Sequence, residues 1–111
     1  MNDENKNEAE TQVRALVDLL QYQPGSIVSR VLLKNQGGTV TMFAFDAGEG
    51  LSEHTAPFDA LVVVTDGEAG IDVAGRSFTV RQGESIVLPA NQPHAVKAVS
   101  RFKMLLTMLR A

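Results

Sequence analysis

The chain has 111 residues, a hydrophobic content of 44% and a formal net charge of −3, which together suit one small domain without a membrane-spanning segment. The ten lysine and arginine residues are scattered along the chain, so nucleic acid is not expected as a partner. Since cysteine is absent, disulfides, thiolate-metal sites and a catalytic thiol are excluded.

The N-terminal region predicts a polar tail followed by a short amphipathic helix. Met1 to about Glu8 is acidic and amide-rich, without the features of a signal peptide, and we therefore expect a cytoplasmic protein. Apolar residues then recur at the helical spacing i, i+3, i+4 and i+7, namely Val13, Leu16, Val17 and Leu20. The helix should end before Pro24-Gly25. We thus predict a tail and helix over residues 1–24 and a second region over 25–111.

From Ser26 onward the pattern changes to short runs rich in Val, Ile, Thr and Phe, separated by turn residues such as Asp66-Gly67 and Gln82-Gly83. The predicted strands are Ile27 to Lys34, Thr39 to Phe45, Leu61 to Thr65, Gly70 to Val73, Ser77 to Val80, Ser85 to Leu88, Ala95 to Val99 and Phe102 to Leu109. Many short strands at such regular spacing indicate an all-β sandwich or barrel.

The two histidines, His54 and His94, lie where strands meet turns rich in proline or glycine. If one strand runs unbroken from Glu53 to Thr65, one of its faces is apolar apart from His54, since strand side chains alternate; that face carries His54, Ala56, Phe58, Ala60, Val62 and Val64. A bend at Pro57 could instead turn Asp59 inward in place of Ala60. The sequence leaves both registers open.

The spacing of these residues resembles the two motifs of the cupin family over roughly Gly38 to Leu109. Gly48-x5-His54-x-Ala56-x3-Ala60-x6-Gly67 stands where the family has G-x5-H-x-H-x3,4-E-x6-G. Gly83-x5-Pro89-x-Asn91-x2-His94-x3-Ala98 stands where it has G-x5-P-x-G-x2-H-x3-N. The resemblance implies a double-stranded β-helix, or jelly-roll barrel, here preceded by the short N-terminal α-helix. It also implies a homodimer, which the apolar run Val31 to Leu33 and the strand Phe102 to Leu109 favour as well.

By the same resemblance, His54 and His94 match two of the four ligands of metal-binding cupins. Ala56 and Ala60 stand where the second histidine and the glutamate belong. Two histidines alone would hold a divalent transition metal weakly. Asp59 would complete a two-histidine, one-carboxylate site if the strand bends inward.

Three functions are therefore open. The first is binding of a small organic ligand, acidic or carbonyl-bearing, in the barrel lumen, with His54 and His94 as anchors or proton carriers. The second is a metal-dependent dioxygenase or isomerase that uses these histidines and Asp59. The third is a non-enzymatic structural or sensing dimer with a vestigial lumen. For His54 taken alone, the alternative role is a hydrogen bond to a backbone carbonyl at the barrel rim.

Overall fold

The computed structural model describes residues 11–110, and its regular structure is almost entirely β-strand. The strands are β1 (Ile27–Asn35), β2 (Gly38–Phe45), β3 (Gly50–His54), β4 (Asp59–Asp66), β5 (Glu68–Val73), β6 (Arg76–Arg81), β7 (Ser85–Leu88), β8 (His94–Lys97) and β9 (Phe102–Leu109). Within this part of the chain, no helix is long and apolar enough to cross a membrane. The polar tail predicted for Met1 to about Glu8 lies outside the described residues.

Across residues 11–110 the strands form two antiparallel sheets. The larger sheet has the order β1-β2-β9-β4-β7, and the smaller sheet has the order β3-β8-β5-β6. Between β2 and β9 the chain passes repeatedly from one sheet to the other, so most neighbouring strands are distant in sequence. This is the jelly-roll arrangement, and the prediction of an all-β barrel is confirmed.

The main core lies between the two sheets. Alternate residues of each strand face inward, as in β4, where Ala60, Val62 and Val64 are buried. Within this core the buried rings of Phe45 and Phe102 are stacked, with centroids 4.6 Å apart. The inward face predicted for this part of β4 is thus confirmed.

The predicted N-terminal α-helix is wrong, because the structure has only a 3-10 turn at Leu16–Asp18. Of its four apolar positions only Leu20 is buried, against Met42 and Ala44 on the outer face of the larger sheet, while Val13 is fully exposed. Isolated helices of this length are unstable in water, and this segment buries too little apolar surface to compensate. Residues 11–24, called here the N-terminal strap, instead lie in an irregular conformation over the sheet.

A continuous strand from Glu53 to Thr65 does not form. β3 ends at His54 and β4 begins at Asp59, so the segment around Pro57 is a loop between two strands in different sheets. Proline lacks a backbone N–H and is poorly suited to the interior of a sheet, which explains the break.

Candidate functional site

A β-bulge in β3 turns His54 toward the barrel interior. Leu51 pairs with Val96 and His54 pairs with His94, so three residue steps on β3 match two steps on β8. In a regular strand His54 would face away from Leu51, which packs against the core. The extra residue of the bulge restores His54 to the inner face, where it lies directly beside His94. Bulges of this kind commonly aim a side chain into a site.

The two imidazole rings form an edge-to-face pair, with centroids 4.4 Å apart and an interplanar angle of 66°. His54 Nδ1 lies 2.8 Å from the carbonyl oxygen of Ser52, and His94 Nδ1 lies 3.3 Å from that of Gln92. A carbonyl oxygen only accepts hydrogen bonds, so both Nδ1 atoms carry hydrogen and donate. When a ring of this kind is neutral, its Nε2 keeps a lone pair, and it can accept a hydrogen bond or a proton from a ligand.

The pair lies at the mouth of the barrel, since His54 is exposed and His94 is half-buried. Burial lowers the pKa of His94 below its ordinary value; the hydrogen bond to Gln92 opposes this effect, and the nearby His54 adds to it. His94 is therefore neutral at pH 7. A neutral imidazole with a free Nε2 can bind a hydrogen-bond donor or take up a proton.

Backbone hydrogen bonds join the loops that surround the pair. The Asn91 amide donates to the Ala56 carbonyl at 2.8 Å, which ties the β7–β8 loop to the β3–β4 loop. The Ala74 amide donates to the Pro93 carbonyl at 2.8 Å, which ties the β5–β6 turn to the residue before His94. The histidine-bearing segments are thus held in place before any ligand arrives.

Asp59 lies away from the histidine pair. It is exposed, whereas its neighbour Ala60 is 8% exposed and occupies the inner face. The Asp59 carboxylate accepts a hydrogen bond from the Ala90 amide at 2.9 Å and so supports the β7–β8 loop. The register that the sequence left open is therefore the one with Ala60 inside.

The side chains at the mouth do not fit the transition-metal site that the family motif implies. Such sites need three or more protein donors, and alanine stands at two of the four motif positions. Among residues 11–110, no three His, Asp or Glu side chains form a group that could hold a metal ion. A metal site that includes Asp59 stays a prediction, which elemental analysis of wild-type protein and Asp59→Ala would test.

A groove of about 470 Å³, called here the side groove, opens between β6 and β7, the free edges of the two sheets. Its walls are mainly apolar and include Val73, Phe78, Val80, Ile86, Val87 and Pro89. Val73 also pairs directly with His94, so one wall of the groove lies next to the histidine pair. Sequence reasoning missed this groove, because the apolar alternation of β6 and β7 does not reveal which strand edges remain open.

The sequence of residues 41–109 matches the family described as the Cupin domain. The chain belongs to the cupin family. The fold that the motifs implied is therefore confirmed, and the strand pairing that brings His54 beside His94 is that of a cupin barrel.

Several solved structures resemble the whole barrel closely. A conserved protein of unknown function from Streptococcus pyogenes is 33% identical, with a TM-score of 0.87 over 91% of this chain and 89% of that chain. A Cupin 2 conserved barrel domain protein from Leptotrichia buccalis is 46% identical, with a TM-score of 0.82; the match covers 85% of this chain and 46% of that longer chain. A cupin superfamily protein from Desulfitobacterium hafniense is 26% identical, with a TM-score of 0.86 over 91% and 93%.

None of the curated proteins has a sequence that matches this chain significantly. The comparisons therefore establish the family and the barrel. Since one fold supports many activities, the function has to be argued from the site itself.

Proposed function

We propose that this cupin binds a small organic ligand, acidic or carbonyl-bearing, at the mouth of its barrel. The observation that carries the proposal is the His54–His94 pair, whose ring centroids lie 4.4 Å apart. Backbone carbonyls occupy both Nδ1 atoms, which leaves the Nε2 atom of each ring for a ligand. The side groove next to His94 supplies apolar walls for the rest of the molecule, as small-molecule sites require.

Calorimetric titration tests this proposal on wild-type protein and the double variant His54→Ala/His94→Ala. The probes are small carboxylic acids, hydroxy acids, aldehydes and ketones. We expect the double variant to lose all measurable binding of any probe that binds the wild type. Glu68→Gln is the matched control, because Glu68 is exposed and pairs with Arg81 at the other end of the smaller sheet, away from the histidine pair. Affinity retained by the double variant would refute the proposal.

We further propose that two copies associate through β1. Among the described residues 11–110 this strand is an edge of the larger sheet, and no other strand there pairs with the second side of its backbone. Val31 and Leu33 are exposed on it. A groove of about 490 Å³ runs between β1 and the N-terminal strap and includes Leu16 and Leu19. An exposed edge with apolar side chains is suited to pairing with a second copy of the chain.

A further inference from the structure

The row of paired residues that contains the two histidines continues across the smaller sheet to Arg76. His54 pairs with His94, His94 with Val73, and Val73 with Arg76. Directly paired residues of antiparallel strands present their side chains on the same face of the sheet. Arg76 therefore shares the barrel mouth with the histidines. It is two strands from His94, which corresponds to about 10 Å between Cα atoms.

The turn that precedes Arg76 fixes its position relative to His94. Ala74 and Gly75 have φ values of +50° and +81°, so this is a tight two-residue hairpin of the kind that normally uses Asn-Gly or Gly-Gly. Alanine rarely adopts this conformation, and such strained residues cluster at functional sites. The bond from the Ala74 amide to the Pro93 carbonyl joins this turn to the loop that carries His94.

The guanidinium group of Arg76 lies over the ring of Phe78, 5.3 Å from its centroid, and Phe78 lines the side groove. Among residues 11–110, the only ion pair joins Arg81 to Glu68, so no carboxylate there neutralises Arg76. The neighbouring Asp72 accepts a hydrogen bond from Ser77 on the outer face. A guanidinium that lies over an aromatic ring and has no carboxylate partner keeps N–H donors for bidentate binding of a carboxylate.

We propose that Arg76 determines the ligand class, and that this class is a small hydroxy acid with an apolar body. This inference rests on the function proposed above. The carboxylate binds Arg76, the hydroxyl group donates to an Nε2 atom of the histidine pair, and the apolar body occupies the side groove. Glu84 lines the far end of the groove, where its carboxylate accepts from the Arg81 amide. A negative charge there disfavours the reversed orientation of the ligand.

Titration of mandelate and mandelamide, which differ only in the carboxylate and its amide, tests this assignment at pH 7.5. We expect wild-type protein to bind mandelate about ten-fold or more tightly than mandelamide, as a charge-assisted hydrogen-bond pair predicts. Arg76→Gln should remove this preference without weakening the binding of mandelamide, and Arg76→Lys should keep part of it. Arg110→Gln is the matched control, because Arg110 lies over Phe58 at 5.7 Å at the end of the other sheet; the preference should remain.

The possible failures are distinguishable. Equal wild-type affinity for the two compounds, no binding of either at millimolar concentration, or a preference that Arg76→Gln retains would overturn the assignment of Arg76. Loss of the preference in Arg110→Gln would also overturn it, because the carboxylate would then bind at the other sheet. The proposed function fails separately if His54→Ala/His94→Ala binds both compounds as tightly as the wild type. Thermal unfolding confirms that each variant is folded.

Discussion

Asn91 explains how the chain departs from the cupin motif and still forms the site. The family motif has glycine at this position, and Asn91 adopts a φ of +66°. Asparagine tolerates this left-handed region better than other residues with a side chain, apart from aspartate. The Asn91 amide thereby keeps its hydrogen bond to the Ala56 carbonyl, and the loop before His94 is held in place.

We predict that Asn91→Gly leaves the free energy of unfolding nearly unchanged, whereas Asn91→Val lowers it by about 1–2 kcal/mol, because a β-branched residue is strained at positive φ. Urea denaturation of both variants measures the difference. Equal stability of Asn91→Gly and Asn91→Val would contradict the importance of this backbone conformation.

The lowered pKa of His94 also predicts how stability depends on pH. The ordinary pKa of 6.5 applies to the unfolded chain, and burial lowers the pKa in the folded protein. Below pH 6.5 the unfolded chain binds the proton more readily, so the free energy of unfolding falls as the pH drops and is fully regained above 6.5. His94→Gln should reduce this fall between pH 7.5 and 5.5, measured by urea denaturation.

Asp46→Asn is the control for this pH dependence. Hydrogen bonds from the backbone amides of Gly25 and Ala47 lower the pKa of Asp46 below its ordinary 3.8. Its contribution to stability is therefore present above pH 3.8 and is lost only at more acidic pH. The slope between pH 7.5 and 5.5 should stay that of the wild type in Asp46→Asn. An unchanged slope in His94→Gln would show that His94 is not the group responsible.

At the scale of elements, the sequence predicts strands best where alternation is long and regular. The prediction for β9, Phe102 to Leu109, matches the structure at both ends, because that strand pairs on both sides and alternates without interruption. β3 was not predicted as a separate strand, because it is short and its bulge breaks the alternation between Leu51 and His54. The prediction of an N-terminal helix was wrong for a different reason. Its spacing was helical, but tertiary contacts determine the conformation of so short a segment.

The sequence predicted some residues of the candidate site and not others. The sequence singled out both histidines as the only two in the chain, lying between strands and turns, and then by their place in the motif spacing. Asp59 was expected as a third donor, and the structure brings it to the Ala90 amide instead of the pair. Arg76 carried no local signal, because its relation to His94 depends on two strand registers and on the β5–β6 turn.

The N-terminal strap is held to the larger sheet by a buried polar cluster. Lys103 is 6% exposed, donates to the Val17 carbonyl at 2.5 Å and lies 4.9 Å from the centroid of the Tyr22 ring. The Tyr22 hydroxyl donates to Asp66 at 2.6 Å. Burial, followed by this hydrogen bond to the carboxylate, raises the pKa of Tyr22. The strap is thus anchored by specific contacts as well as by Leu20.

We predict that Lys103→Met releases the strap, because methionine cannot bond the Val17 carbonyl. Cleavage by chymotrypsin at Tyr22 should become several-fold faster, and the free energy of unfolding should fall by about 1–3 kcal/mol. Lys97→Met is the control, since Lys97 is exposed on β8. Equal cleavage rates in wild-type protein and Lys103→Met would contradict this role.

At the scale of the whole molecule, the two edge strands of the larger sheet differ in the grooves that they border. β1 and β7 are both edges of the larger sheet, and each exposes a valine, Val31 at 56% and Val87 at 58%. Only β1 also borders the groove beside the N-terminal strap. β7 borders the side groove, where the apolar part of the ligand binds in the proposed function. Association through β1 would thus leave the site accessible.

We predict a dimer for the wild-type chain at micromolar concentration by sedimentation velocity. Val31→Asp should give a monomer, because it introduces a like charge from each copy into an apolar contact. Val87→Asp, with the same chemistry and nearly the same exposure, should remain dimeric. A monomeric wild-type protein, or dissociation caused by Val87→Asp alone, would contradict pairing through β1.

The most direct measurement of the whole proposal is ¹⁵N NMR of the two histidine rings at pH 7.5, recorded before and after addition of mandelate. The geometry predicts that both rings carry hydrogen on Nδ1 and that the Nε2 resonances of both shift on addition of the ligand. Rings that carry hydrogen on Nε2, or Nε2 resonances that stay unchanged with mandelate and every other probe of the panel, would contradict a ligand site at His54 and His94.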